Sequence, residues 1–126
     1  MGMAIEGVVS KGLGEGAFFM SMPHYKNEIK SKLGFDAYPG TLNIKVTEDK
    51  ISEAKKSKSI RIEGYASNGK TFAGANCHFA KIKDISGAVI FPDLTGHKDV
   101  LEFIAPVHVK SALKIKDGDK IMVNLK

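Results

Sequence analysis

The chain has 126 residues, 43% of them hydrophobic and 26% charged, which suits one domain with a buried core and excludes a disordered segment. No apolar run reaches the length of a transmembrane helix, no signal-peptide pattern precedes the first strand, and the lone Cys77 excludes an internal disulfide or a thiolate metal site, so a reducing cytoplasm and no membrane are expected. The formal net charge of +5 points to an anionic partner such as a nucleotide, a nucleic acid or a phosphorylated metabolite.

Residues 5–10 read as a strand that runs into the glycine-rich stretch KGLGEGAFFM. The spacing then predicts a helix over 23–33. Pro23 suits the first helical position, Tyr25, Ile29 and Leu33 form one apolar stripe, and Gly34 stands where a C-terminal cap belongs. The segment FDAYPGTLNIKV turns at Tyr38-Pro39-Gly40 and then alternates over 41–46. Leu42, Ile44 and Val46 face one way, and Thr41, Asn43 and Lys45 the other. Lys50, Lys55, Lys56 and Lys58 follow in EDKISEAKKSKS, which reads as a solvated loop or a short surface helix.

SIRIEGYAS and KTFAGANCHFAKIKD flank Asn68-Gly69, a strong hairpin signal. GAVIFP over 87–92 and VLEFIAP over 100–106 are apolar runs of strand length, and a short helix is expected over 108–113. The chain closes on an Asp117-Gly118 turn and a strand in which Ile121, Val123 and Leu125 alternate. About seven short strands and two short helices predict a mainly β single domain over 1–126, closed into a small barrel with the glycine loop and the first helix over one end.

Three features carry candidate chemistry. Gly12, Gly14 and Gly16 let the backbone approach a ligand and turn its amides toward phosphate oxygens. The stretch lacks the Gly-Lys-Ser/Thr ending of a Walker loop, and its Gly12-x-Gly14-x-x-Ala17 spacing opens no strand–helix–strand unit, so by itself it is a ligand cradle or a plain turn. Thr41 and Asn43 place two hard neutral oxygens on one strand face. Mg²⁺ accepts such ligands when phosphates and waters complete its octahedron; equally, Thr41 is a good strand former and Asn43 can satisfy a backbone group. Glu102 lies between Leu101 and Phe103, where a carboxylate is costly unless paired or functional, although period-two alternation also allows a wet outer face. Thr95 and His97 lie in the polar loop just before it. His24, His78, His97 and His108 show no metal-ligand spacing, and no Ser–His–Asp order is legible.

Taken in order, GVVSKGLGEGAFF, LGFDAYPGTLNIKV, GAVIFP, LEFIAP and LKIKDGDKI resemble the archaeal CTP-dependent riboflavin kinases over residues 5–125. The most specific of these motifs is Leu33-Gly34-Phe35 followed by Tyr38-Pro39-Gly40-Thr41-Leu42-Asn43. The resemblance implies a six-stranded cradle-loop (RIFT-type) barrel with one longer and one short helix. It also implies transfer of the γ-phosphate of CTP to the ribityl 5′-hydroxyl of riboflavin, giving FMN and CDP.

The resemblance further implies the site roles. Leu13, Gly14, Glu15, Gly16, Ala17 and Phe18 would wrap the nucleotide, with His108, Val109, Lys110 and Ser111 as its second binding segment. Thr41 and Asn43 would hold Mg²⁺, and Thr95 and Glu102 the flavin, Glu102 being also the candidate catalytic carboxylate. Where the family commonly carries Leu-Arg-Glu, this chain has Val109-Lys110-Ser111, which keeps the charge and loses the planar fork of arginine. Ala17 stands where some members carry a longer or basic side chain. Some members also carry an N-terminal winged-helix DNA-binding domain; this chain starts at its first barrel strand, so it lacks that domain or is a fragment. A monomer is expected. The alternatives are a non-catalytic flavin or nucleotide sensor on the same scaffold, and a nucleic-acid-binding barrel. The scattered basic residues, and Glu15 in the glycine loop, count against the latter.

Overall fold

In the computed structural model, which describes residues 2–12, 20–93 and 99–126, the alternating segments become nine strands. These are β1 (Met3–Ser10), β2 (Leu42–Lys45), β3 (Ile60–Ile62), β4 (Tyr65–Ser67), β5 (Lys70–Phe72), β6 (Ala75–Ile82), β7 (Ile85–Pro92), β8 (Val100–Ile104) and β9 (Lys120–Leu125). The helices are α1 (Pro23–Leu33), α2 (Glu48–Lys55) and α3 (Val109–Leu113). Six strands run antiparallel in the order β6-β7-β8-β2-β1-β9, and β9 pairs back onto β6 through Ala80↔Leu125 and Lys81↔Asn124. The expected six-stranded barrel is therefore closed, and closure leaves no free edge among its members. β3 lies beside β6 outside the ring, and β4 with β5 forms a separate hairpin.

Period-two alternation fills the barrel. Ile5 and Val9 from β1, Ile44 from β2, Leu101 and Phe103 from β8, and Val123 from β9 are almost fully buried in one cluster. A second cluster forms on the outside. There the stripe of α1, Tyr25, Ile29 and Leu33, covers Cys77 of β6 and Ala88 and Ile90 of β7. The helix spans the predicted residues, with Pro23 in its first turn, and the Gly34 N–H closes it on the carbonyls of Ile29 and Lys30. The apolar outer face of β6 and β7 explains why GAVIFP does not alternate: it is covered on both sides.

The structure departs from the predicted elements in two places. The lysine-rich segment takes the helical one of its two readings as α2, an eight-residue helix, so the described residues include two longer helices and the short α3 where one longer and one short helix are expected. Its lysines stay at the surface, but Ile51 and Ala54 are buried against the barrel core, so the helix is more than a wet surface. The two segments around the hairpin each break in two. Asn68 and Gly69 form the predicted turn with φ of 51° and 76°, as a type I′ hairpin requires. Beyond β4 and β5, the backbones cross at Gly64 and Gly74, where a Cβ on Gly64 would lie 2.2 Å from the Phe72 carbonyl oxygen. Only glycine permits that crossing, and it divides each predicted strand.

Among the described residues, Cys77 and His78 are titratable groups buried away from the barrel's polar face. Cys77 sits under α1, and burial pushes its thiol up to about 12. His78 is 2% exposed, and burial lowers its pKa against the opposing pull of the Lys58 and Ser57 backbone carbonyls. The Ser57 hydroxyl donates to Ala54 O at 2.7 Å, so its oxygen accepts from Nδ1 of His78 at 2.8 Å.

Candidate active site

The two faces of β2 divide as their alternation dictates. Leu42 and Ile44 enter the barrel core, while Thr41, just ahead of the strand, and Asn43 stay half-buried outside it. Asn43 is opposite Ser10 of β1 on one side and opposite Glu102 of β8 on the other. The Thr41 hydroxyl donates to Glu102 Oε1 at 3.2 Å, a contact between residues 61 apart in the chain. Asn43 Nδ2 donates to the Thr41 carbonyl at 3.5 Å, which leaves the amide oxygen as the group suited to a cation. Glu102 is therefore on the outer face, half-buried and hydrogen-bonded, rather than enclosed with Leu101 and Phe103. The pair Thr41 and Asn43, and Glu102, which the sequence offers separately, form one cluster of hard oxygens.

The glycine stretch meets this cluster at its start. A Cβ on Gly12 would lie 2.2 Å from Asn43 Nδ2 and 3.0 Å from Asn43 Cγ. Gly12 is thus packed directly on the amide, and no larger residue fits without moving it.

On the other side of Thr41 a cleft of about 280 Å³ opens. Its floor is apolar and buried, made by Leu42, Phe103, Ala105 and Val109. Its rim carries Tyr38, His108 and Lys110. Tyr38 is anchored by its N–H on the Ala105 carbonyl at 2.8 Å, and its ring meets that of His108 at a centroid distance of 5.1 Å. Nδ1 of His108 is 2.6 Å from the Ser111 hydroxyl, and Lys110 Nζ is 2.7 Å from Asp117 Oδ1. An exposed pair of this kind contributes little to stability, so the ammonium is held loosely and can turn to an anion in the cleft.

The fold thus brings together Thr41, Asn43 and Glu102, and joins Thr41 to His108, Val109 and Lys110 through one cleft. Ser111 does not line the cleft but holds His108. The nucleotide loop Leu13, Gly14, Glu15, Gly16, Ala17 and Phe18, together with Thr95, lies outside the described residues. Sequence reasoning used Tyr38 as turn punctuation and as part of a motif without giving it a place in the cleft, and missed the contact of Gly12 with Asn43. The available signal for Tyr38 was a large aromatic placed directly at a turn.

Among the described residues, no group of three His, Cys, Asp or Glu side chains is arranged to hold a metal by itself. A hydroxyl, an amide oxygen and one carboxylate instead suit a hard cation that keeps waters and takes phosphate oxygens from a substrate. A second cavity, about 210 Å³, lies beside α2 and is lined by His78, Phe91 and Asp93. Of its polar groups, His78 is engaged with Ser57, and Asn76 and Asp93 with Arg61, and it holds none of the predicted site residues.

A family model named CTP-dep_RFKase, described as a domain of unknown function, DUF120, matches residues 9–125. The chain is 41% identical over 128 residues to a riboflavin kinase of Methanosarcina acetivorans, covering 98% of this chain and 54% of that protein. It is 39% identical to a riboflavin kinase of Methanosarcina mazei, covering 98% and 57%, and 42% identical over 119 residues to one of Pyrobaculum calidifontis, covering 91% and 56%. The chain therefore spans about half the length of the curated relatives it matches.

Proposed function

We propose that this chain, which belongs to the archaeal CTP-dependent riboflavin kinase family, transfers the γ-phosphate of CTP to the ribityl 5′-hydroxyl of riboflavin, releasing FMN and CDP. The observation that carries the reading is the position of Thr41. Its hydroxyl bonds the proposed flavin carboxylate Glu102, and its residue lines the cleft of the proposed nucleotide segment. Donor and acceptor would then meet at one side chain.

The bond that forms joins the ribityl oxygen to the γ-phosphorus, and the bond that breaks joins that phosphorus to the oxygen left on CDP. In a loose transition state the hydroxyl proton leaves late, so alignment and charge neutralisation matter more than a strong base. Thr41 Oγ1 and Asn43 Oδ1 would hold Mg²⁺, which supplies neutralisation of phosphate charge when bound. Glu102, whose Oε1 accepts from Thr41, would orient the flavin beside the metal pair. Lys110 and His108, which line the cleft, would contact the nucleotide there, and the amides of residues 13–18 would cover its phosphates.

The test is direct: incubate the protein with riboflavin, Mg²⁺ and each of CTP, ATP, GTP and UTP, and separate the flavins by chromatography. FMN with CTP and little with the others supports the assignment. FMN from ATP in preference would keep the kinase and overturn the donor. Folded protein that binds riboflavin and CDP but makes no FMN with any nucleotide would overturn the kinase in favour of a sensor.

A further inference from the structure

The cleft beside Thr41 has a feature that the phosphate and metal assignments leave unused. Tyr38 is 41% exposed on its rim, while the residues beneath are buried. The remaining tyrosines, Tyr25 and Tyr65, are engaged with each other under α1 in an aromatic cluster with Phe72. Tyr38 lies apart from them, against His108. It is not loose: its N–H is bonded to Ala105 O at 2.8 Å, Pro39 follows it, and His108 is steadied in turn by Ser111. An exposed aromatic ring held in place beside an apolar cleft is a preformed stacking surface. Tyr38 and Thr41 line the same cleft on either side of the bend at Pro39 and Gly40. A cleft that carries both an aromatic rim and a hard side-chain oxygen suits a nucleoside triphosphate, with its base on the first and its phosphates toward the second.

We propose that Tyr38, backed by His108, is the platform on which the nucleobase of the phosphate donor stacks, with its triphosphate directed toward Thr41. This rests on the nucleotide reading of the cleft and adds to it a residue for the base. Every base has a π-face, so stacking on Tyr38 raises affinity without choosing among bases. The choice falls to polar groups elsewhere in the site.

The experiment compares wild type, Tyr38→Ala and Tyr38→Phe. Calorimetry measures binding of CDP and, separately, of inorganic triphosphate, both with Mg²⁺; riboflavin binding and thermal unfolding report the integrity of the fold. Tyr38→Ala is expected to weaken CDP about tenfold or more, leave inorganic triphosphate and riboflavin unchanged, and raise KM for CTP more than it lowers kcat. Tyr38→Phe is expected to behave like wild type. Wild-type CDP affinity in Tyr38→Ala would overturn the platform, as would an equal loss of triphosphate binding. Wild-type protein that binds riboflavin but no CDP would instead overturn the nucleotide reading itself, before any variant is made.

Discussion

Gly12→Ala is the sharpest perturbation of the proposed metal pair that leaves its ligands in place. The added methyl would lie 2.2 Å from Asn43 Nδ2. Carbon–nitrogen contacts need about 3.5 Å, so the amide must retreat by about 1.3 Å. The backbone of Asn43 cannot follow, because β2 is paired through Ser10↔Asn43 on one side and Asn43↔Glu102 on the other. The strain is therefore relieved by turning the side chain, which moves the proposed Mg²⁺ oxygen. Gly12 is not in the left-handed region, so alanine adds no backbone strain, and the melting temperature should fall by no more than a few degrees. A misplacement of about 1 Å at a reacting centre costs on the order of 100-fold in rate. FMN formation measured across a Mg²⁺ titration should show that loss together with a raised Mg²⁺ requirement. Combining Gly12→Ala with Asn43→Ala should add little to the loss from Asn43→Ala alone, since both act through one amide. A Gly12→Ala enzyme with wild-type rate and wild-type Mg²⁺ dependence would refute the reasoning.

Asn43→Ala by itself should abolish Mg²⁺-dependent transfer while circular dichroism and the melting curve show an intact barrel; unchanged turnover would remove Asn43 from the site. Cys77→Ser should leave kcat and KM intact, and native Cys77 should resist alkylation, because the thiol is buried and its pKa is pushed up to about 12. A large loss of activity would reveal a role for that thiol. For His78, burial lowers the folded pKa below the unfolded value near 6.5, so the unfolded chain takes up the proton first. Stability should be full above about pH 6.5 and fall as the pH drops below it. Urea midpoints at about pH 7 and about pH 5.5 should separate for wild type and draw together for His78→Gln; an equal drop in both would assign the pH effect to other groups.

The sequence alone was enough wherever a signal is local. The stripe of Tyr25, Ile29 and Leu33 between Pro23 and Gly34 specifies α1, because helical period and both ends are set by neighbouring residues. Asn68-Gly69 specifies a turn, and the alternation of Leu42 with Ile44 specifies which face of β2 is apolar. The motif order was also enough to indicate the family. Signals failed where a non-local contact overrides them, as at Gly64 and Gly74, whose crossing breaks two strands that local propensity would continue. They left α2 open between a loop and a short surface helix, because the apolar pair Ile51 and Ala54 is too small a stripe to stand out from its lysines until the barrel covers it.

Of the site, the residue types were legible and their assembly was not. Thr41, Asn43 and Glu102 could each be read as an ordinary strand residue, and the bland reading of each was reasonable in isolation. What makes them one cluster is the pairing of β2 with β8, and what seats Tyr38 on His108 is the return of the chain past Ala105. Neither pairing leaves a trace in local sequence, because strand register is chosen by the packing of the whole closed barrel. An inward set of side chains must be buried on every strand at once, and a slip of one residue on β8 would exchange Glu102 with Leu101 or Phe103 in the core. Burial of the apolar face thus fixes where the polar face meets, and only the tertiary structure shows which polar residues that brings together.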